Sequence, residues 1–198
     1  MGVLPEVVLI GDSIRMGYQR VVERELAGIA RIWHPGENCG TSANILENLD
    51  EWVILRGPSL VHLNCGLHDL KIERPATQQQ VPLPQYRSNL AEILWRIISC
   101  TPSIVVWAST TPVNEEWHQA RKGFGFDRYE ADVEKYNQAG IEIARRCGAV
   151  INDLYQFVVR QGCDAMLCPD GVHYKQSGYR RLGKAVASVI REQLALKG

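Results

Sequence analysis

The chain has 198 residues, 45% of them hydrophobic and 22% charged, the proportions of an ordinary globular protein large enough to bury a core without metals or cross-links. Its 22 basic and 22 acidic residues cancel, and no Lys/Arg cluster forms a stripe, which argues against nucleic acid or another polyanion as partner. No apolar run approaches the roughly 18 residues of a membrane span, and the six cysteines contain no CxxC pair, which argues against a zinc site or a dithiol redox motif.

A first strand is expected at residues 7–10, the run Val7-Val8-Leu9-Ile10. It starts within a few residues of Met1, so no signal peptide is expected in the chain as given, and a cytoplasmic location with reduced thiols is expected. Cys65, Cys100 and Cys147 lie in apolar surroundings and read as buried thiols. Further strands are expected at residues 30–33, 60–63, 104–108 and 149–151. These runs are almost continuously apolar rather than alternating, as in a parallel sheet covered on both faces.

Between them lie stripes with helical spacing. Ile45, Leu46, Leu49, Trp52 and Val53 form one, with Thr41 or Ser42 as its cap. Tyr86, Leu90, Ile93, Leu94 and Ile97 form a second, and Tyr129, Val133, Tyr136, Gly140 and Ile143 a third. Tyr179, Leu182, Val186, Val189 and Ile190 mark the last helix. Strands alternating with helices predict a single α/β domain over residues 1–198, a three-layer α/β/α sandwich around a five-stranded parallel sheet of flavodoxin-like order 2-1-3-4-5. Two connections are long: residues 71–85, rich in Pro and Gln, and residues 112–128, which carry Trp117, Phe124 and Phe126.

The polar motifs follow strand ends. Gly11-Asp12-Ser13 leaves the first strand, Glu37-Asn38-Cys39-Gly40 the second, Gly66-Leu67-His68-Asp69 the third and Thr110-Thr111-Pro112 the fourth. In this fold ligands bind outside the carboxyl ends of the strands, where the strand order reverses, and that point puts Ser13 beside His68. Asp170 and His173 are three apart, a spacing that lets a carboxylate hold one imidazole nitrogen while the other takes a proton from a serine. Each piece also has a plain structural reading: Ser13 as part of a helix cap, Asp170 as a turn cap, His173 and His68 as satisfied or solvated side chains. His62 reads as a core histidine, and His34 and His118 as isolated loop residues. A metal held by Asp12, His68, Asp69 and His173 is a minor alternative.

Together, Gly11-Asp12-Ser13-Ile14, Gly40, Gly66-Leu67-His68-Asp69 and Asp170-Gly171-Val172-His173 resemble blocks I, II, III and V of the GDSL/SGNH hydrolase family. The resemblance implies an esterase without a cofactor, acting on a small-molecule ester with Ser13 as nucleophile, His173 as base and Asp170 as its orienting acid. It also implies an oxyanion hole made of the Ser13 and Gly40 N–H groups and an asparagine side chain of block III. This chain has His68 at that asparagine position, and an imidazole N–H can still donate there. Trp117 and Val172 are the candidate substrate contacts. The polar loops suit a short acyl group such as acetyl. A thioesterase or lysophospholipase on the same site, and a non-catalytic flavodoxin-like binding module or inactive relic, are the alternatives.

Overall fold

The computed structural model describes residues 3–121 and 125–197, so Phe124 lies outside the described residues. In chain order the elements are β1 (Glu6–Ile10), α1 (Ser13–Glu25), β2 (Arg31–Trp33), α2 (Ser42–Glu47), α3 (Leu49–Trp52), a 3-10 turn (Ile54–Arg56), β3 (Leu60–Asn64), β4 (Ile72–Glu73), α4 (Leu83–Cys100), β5 (Ile104–Ala108), α5 (Glu115–Ala120), β6 (Phe126–Asp127), α6 (Glu130–Cys147), β7 (Val150–Asn152), α7 (Leu154–Gln161), α8 (Cys163–Met166) and α9 (Gln176–Lys197).

Five strands form one parallel sheet in the order β2-β1-β3-β5-β7, which is 2-1-3-4-5 when the sheet strands alone are counted. Val8 stands opposite Trp33 on one side and Val61 on the other, and His62 opposite Val106. Val7, Val8, Leu9 and Ile10 are all fully buried, because helices cover both faces. Helices α1 and α9 pack together, and α2, α4 and α6 form the other layer. The order reverses between β1 and β3, so the ends of these two strands open a crevice at one edge of the sheet. Among the described residues no helix is long and apolar enough to cross a membrane.

Four expectations are corrected. The stripe over residues 45–53 is two short helices, broken at Asn48, whose side-chain amide donates to the Asn44 carbonyl at 2.9 Å and so competes with the helix ladder. The last sheet strand extends to the polar Asn152, which continues the ladder by accepting from Ser109 N–H. The two long connections are not independent loops: β4 from the first pairs antiparallel with β6 from the second, and Arg74 clasps Asp127 across the ribbon. Of the three cysteines expected to be buried, Cys65 is, Cys147 is partly so and Cys100 is exposed at the end of α4.

Gly140 lets α6 lie close on the sheet: a Cβ there would stand 2.2 Å from Cζ2 of the fully buried Trp107. Gly140→Ala is therefore expected to cost about 1–3 kcal/mol through overpacking, despite alanine's better helix propensity. Urea denaturation checks this, and an unchanged or raised midpoint would show that the indole has room to give.

Candidate active site

The β1 exit is a strand–turn–helix corner. Asp12 caps α1 by accepting from Ile14 N–H at 2.8 Å, and Ser13, partly exposed, opens the helix. The first N–H groups of a helix have no partner inside it, so the serine sits where developing negative charge is favoured. Beneath the corner lies Arg15, fully buried, a residue that the sequence reading did not single out. Its guanidinium donates to the carbonyls of Gly11, Pro35 and Glu37 and to the side chain of Gln19. It thereby fastens the segment after β2 to the end of β1. Cys39 N–H completes the tie by donating to Gly11 O at 3.2 Å.

The second half of the site comes from the segment between α8 and α9. A bridge between Leu167 and Tyr174 closes its base, and Cys168 N–H donates to His173 O at 2.7 Å. Gly171, at φ +73°, sits so close to Asn114 O that a Cβ would meet it at 2.3 Å, so only glycine lets the loop dock on the start of α5. Asp170 Oδ1 accepts from the N–H groups of Val172 and His173 at 2.9 and 2.8 Å, leaving Oδ2 for His173 Nδ1 at 2.6 Å. Arg121 stands 3.4 Å from the same oxygen. Burial works to raise the Asp170 carboxyl, but these backbone N–H groups and the imidazole outweigh it and hold it below the ordinary carboxylate value. His173 Nε2 lies 2.9 Å from Ser13 Oγ. Hydroxyl, imidazole and carboxylate thus form one hydrogen-bonded line across 160 residues of sequence, an arrangement that can draw a proton from a serine.

The β3 exit supplies His68. Burial, as the largest cause, lowers its imidazole below the ordinary histidine value. Asp12 opposes this, and Arg128, Lys71 and His173 add to it, so the ring is neutral at pH 7. A neutral imidazole keeps one N–H to donate, and no described residue makes a side-chain hydrogen bond to this ring. Asn64 is turned away, its amide donating to the carbonyls of Ala108 and Ser109. The Gly40 N–H is already engaged, donating to Asn38 Oδ1 at 2.9 Å.

Other candidates fall elsewhere. Trp117 lines a cavity of about 330 Å³ with Ala120, Arg121, Leu167, Pro169 and Lys175, and neither Ser13 nor His173 is among its walls. Val172 is buried in the apolar core, 3% exposed, so its side chain has little surface to offer a ligand. Thr110 is tied to α6 by a reciprocal pair with Asn137, at 2.7 and 2.8 Å. His118 is not on a loop: it lies buried in α5, its Nδ1 3.3 Å from Asp170 O. His62 is a core residue joined to Asn152 at 3.0 Å, and burial keeps it neutral. His34 pairs with Glu23. Among the described residues no group of three or more His, Cys, Asp or Glu, Asp12, His68, Asp69 and His173 included, could hold a metal ion.

A family model described as the GDSL-like lipase/acylhydrolase family matches residues 9–181, from the end of β1 into α9, taking in every segment that builds the site. The chain belongs to that family. The mouse isoamyl acetate-hydrolyzing esterase 1 homolog is 24% identical over 191 residues, 88% of this chain and 76% of that protein. Its rat counterpart is 26% identical over 63% of this chain, which spans only about half (52%) of that protein's length. The lipase/acylhydrolase from Enterococcus faecalis superposes with a TM-score of 0.80 at 22% identity, covering 96% of this chain and 97% of that one. An acetyl xylan esterase, AlAXEase, does so with a TM-score of 0.75 at 15% identity, over 93% and 99%. Likeness at these identities carries the fold; membership in the family makes this chain an esterase-type hydrolase.

Asp69 has the role of a brace in this family member. Its Oδ1 accepts from the N–H and hydroxyl of Ser42, and Asn89 donates to the same hydroxyl at 3.0 Å, so the β3 exit is locked to α2 and α4. Burial first, with Asp12 adding, pushes the Asp69 carboxyl up to about 6 against the hydrogen bonds from Ser42. The folded state therefore holds a proton that the unfolded chain releases near pH 4, and stability falls as pH rises from about 4 to 6. Asp69→Asn is expected to flatten that slope, worth on the order of 2–3 kcal/mol. Urea midpoints measured from pH 4 to 8 check it; an unchanged slope would place the titration elsewhere.

Proposed function

We propose that this chain, as a single domain, hydrolyses carboxylic esters of short, acetyl-type acyl groups through an acyl-enzyme, with Ser13 as nucleophile, His173 as base and Asp170 as orienting acid. The observation that carries this reading is the unbroken hydrogen-bonded line from Ser13 Oγ through His173 to Asp170 at the topological switch point. Names among the relatives and structural neighbours, isoamyl acetate-hydrolyzing esterase and acetyl xylan esterase, support the short acyl group.

In the first half-reaction Ser13 Oγ attacks the carbonyl carbon as its proton passes to His173 Nε2. The imidazolium formed is stabilised by the Asp170 carboxylate. The carbonyl oxygen gains negative charge, and the donors offered to it are the Ser13 N–H and the His68 ring. The Gly40 N–H is shared with Asn38 and so contributes less than the family pattern implies. The C–O bond to the alcohol breaks, with His173 returning its proton to the departing oxygen. Water, deprotonated by the same imidazole, then releases the acid and regenerates Ser13.

Ser13→Ala is expected to lose labelling by a fluorophosphonate probe and about 10⁴-fold or more of nitrophenyl acetate turnover. Retained turnover would mean a different nucleophile, and absence of labelling in the wild type would favour a non-catalytic binding role. A nitrophenyl ester series from two to sixteen carbons is expected to peak at the short end; a peak at long chains would favour the lysophospholipase reading. His68→Ala is expected to lower kcat about 10²–10³-fold with little change in melting temperature, while His68→Asn stays within about tenfold of wild type. Equal kcat in the alanine variant would remove His68 from the oxyanion hole.

A further inference from the structure

Arg128 is a cation that the chemistry above does not use. It follows β6 and is only 6% exposed. Its Nε donates to Leu67 O at 2.8 Å, one residue before His68, and its guanidinium carbon lies 4.8 Å from the centre of the Phe126 ring. One edge and one face of the guanidinium are thereby fixed. Its terminal N–H groups have no hydrogen-bond acceptor among the described residues, yet they are not sealed away from the outside. Of the nearby carboxylates, Asp127 pairs with Arg74 and Asp170 with His173 and Arg121, while Asp12 accepts from Ile14 N–H through Oδ1 and its buried Oδ2 has no hydrogen-bond partner, so none of the three bonds to Arg128.

Its bond to the carbonyl of Leu67, the neighbour of His68 in sequence, places it beside the β3 exit. Burial lowers Arg128 to about 10, against the pull of Asp12 and Asp170, which lie close in sequence to Ser13 and His173, so it is charged at neutral pH. It in turn disfavours charge on His68 and His118. Donors that are open to the outside but unused within the protein are available to a ligand, and a guanidinium fork matches a carboxylate in shape and charge.

We propose that Arg128 is a specificity-determining residue that binds a free carboxylate carried by the substrate, so that the preferred esters are monoanions with the carboxylate near the scissile bond. This rests on the ester-hydrolase reading above. Such a substrate places its carboxylate on the terminal guanidinium nitrogens while its ester carbonyl meets Ser13, and the charge-assisted contact forms on binding, so it is read chiefly in KM.

The test uses two matched pairs. Mono-4-nitrophenyl succinate is compared with 4-nitrophenyl butyrate for a carboxylate on the acyl side, and 4-acetoxybenzoate with its methyl ester for the alcohol side. The wild type is expected to favour the anionic member of at least one pair by about tenfold or more in kcat/KM. Arg128→Gln removes that preference, lowering the anionic ester about 10- to 100-fold and its neutral partner less than about threefold, while Arg128→Lys is intermediate. Free succinate or benzoate is expected to inhibit the wild type competitively, a readout that needs no variant to fold. Equal losses on all four esters would assign Arg128 to the transition state instead and overturn the proposal, as would no preference in either pair with no carboxylate inhibition. If the wild type hydrolyses none of them, the ester reading fails separately. Calorimetric binding of succinate, lost in a folded Arg128→Gln, then supports the carboxylate site, and no binding overturns it.

Discussion

The site depends first on one buried guanidinium. Arg15 has no contact with water, and each of its five N–H donors has an acceptor, mostly main-chain carbonyls. A buried cation is tolerable only when so fully bonded. The result is a rigid corner: the turn out of β1, the first turn of α1 and the segment leading to Gly40 move as one body. Ser13 is thereby held at a fixed place relative to the β3 exit, which Asp69 locks from the other side through Ser42 and Asn89.

Around that corner, like residue types are given unlike tasks by their environments. Asp170 is surrounded by donors and stays ionised, whereas Asp69, with a buried oxygen lacking a partner, holds its proton up to about pH 6. His62 is buried between strand and helix and is neutral, while His68 is kept neutral by burial together with the cations Arg128 and Lys71. His173 is tied to both a hydroxyl and a carboxylate. Placement, rather than residue type, separates the proposed base from the proposed neutral donor and from a core residue.

The two long connections join this arrangement through the β4–β6 ribbon. By pairing Ile72 with Asp127, the ribbon brings Phe126 and Arg128 over Leu67 and so next to His68. The ribbon also reaches toward the Asp170 loop, since the centre of the Phe126 ring lies 5.7 Å from that of His118, whose Nδ1 is 3.3 Å from Asp170 O. Neither connection shows this alone, since their composition is that of surface loops and their pairing spans more than fifty residues.

Local sequence signals determined a good deal. Continuous apolar runs marked the five sheet strands, helical stripes marked α4, α6 and α9, strand-end motifs pointed to Ser13 and His68, and the three-residue spacing before the last helix pointed to Asp170 and His173, because periodicity and turn chemistry act over a few residues. Tertiary structure decided the rest. It broke the 45–53 stripe at Asn48, buried Val172, moved Trp117 to a separate cavity and gave the Gly40 N–H to Asn38. It also recruited Arg15 and Arg128, whose partners are carbonyls and rings far away in sequence. Which donor is free and which cation is buried is a property of close packing, and no run of neighbouring residues contains it.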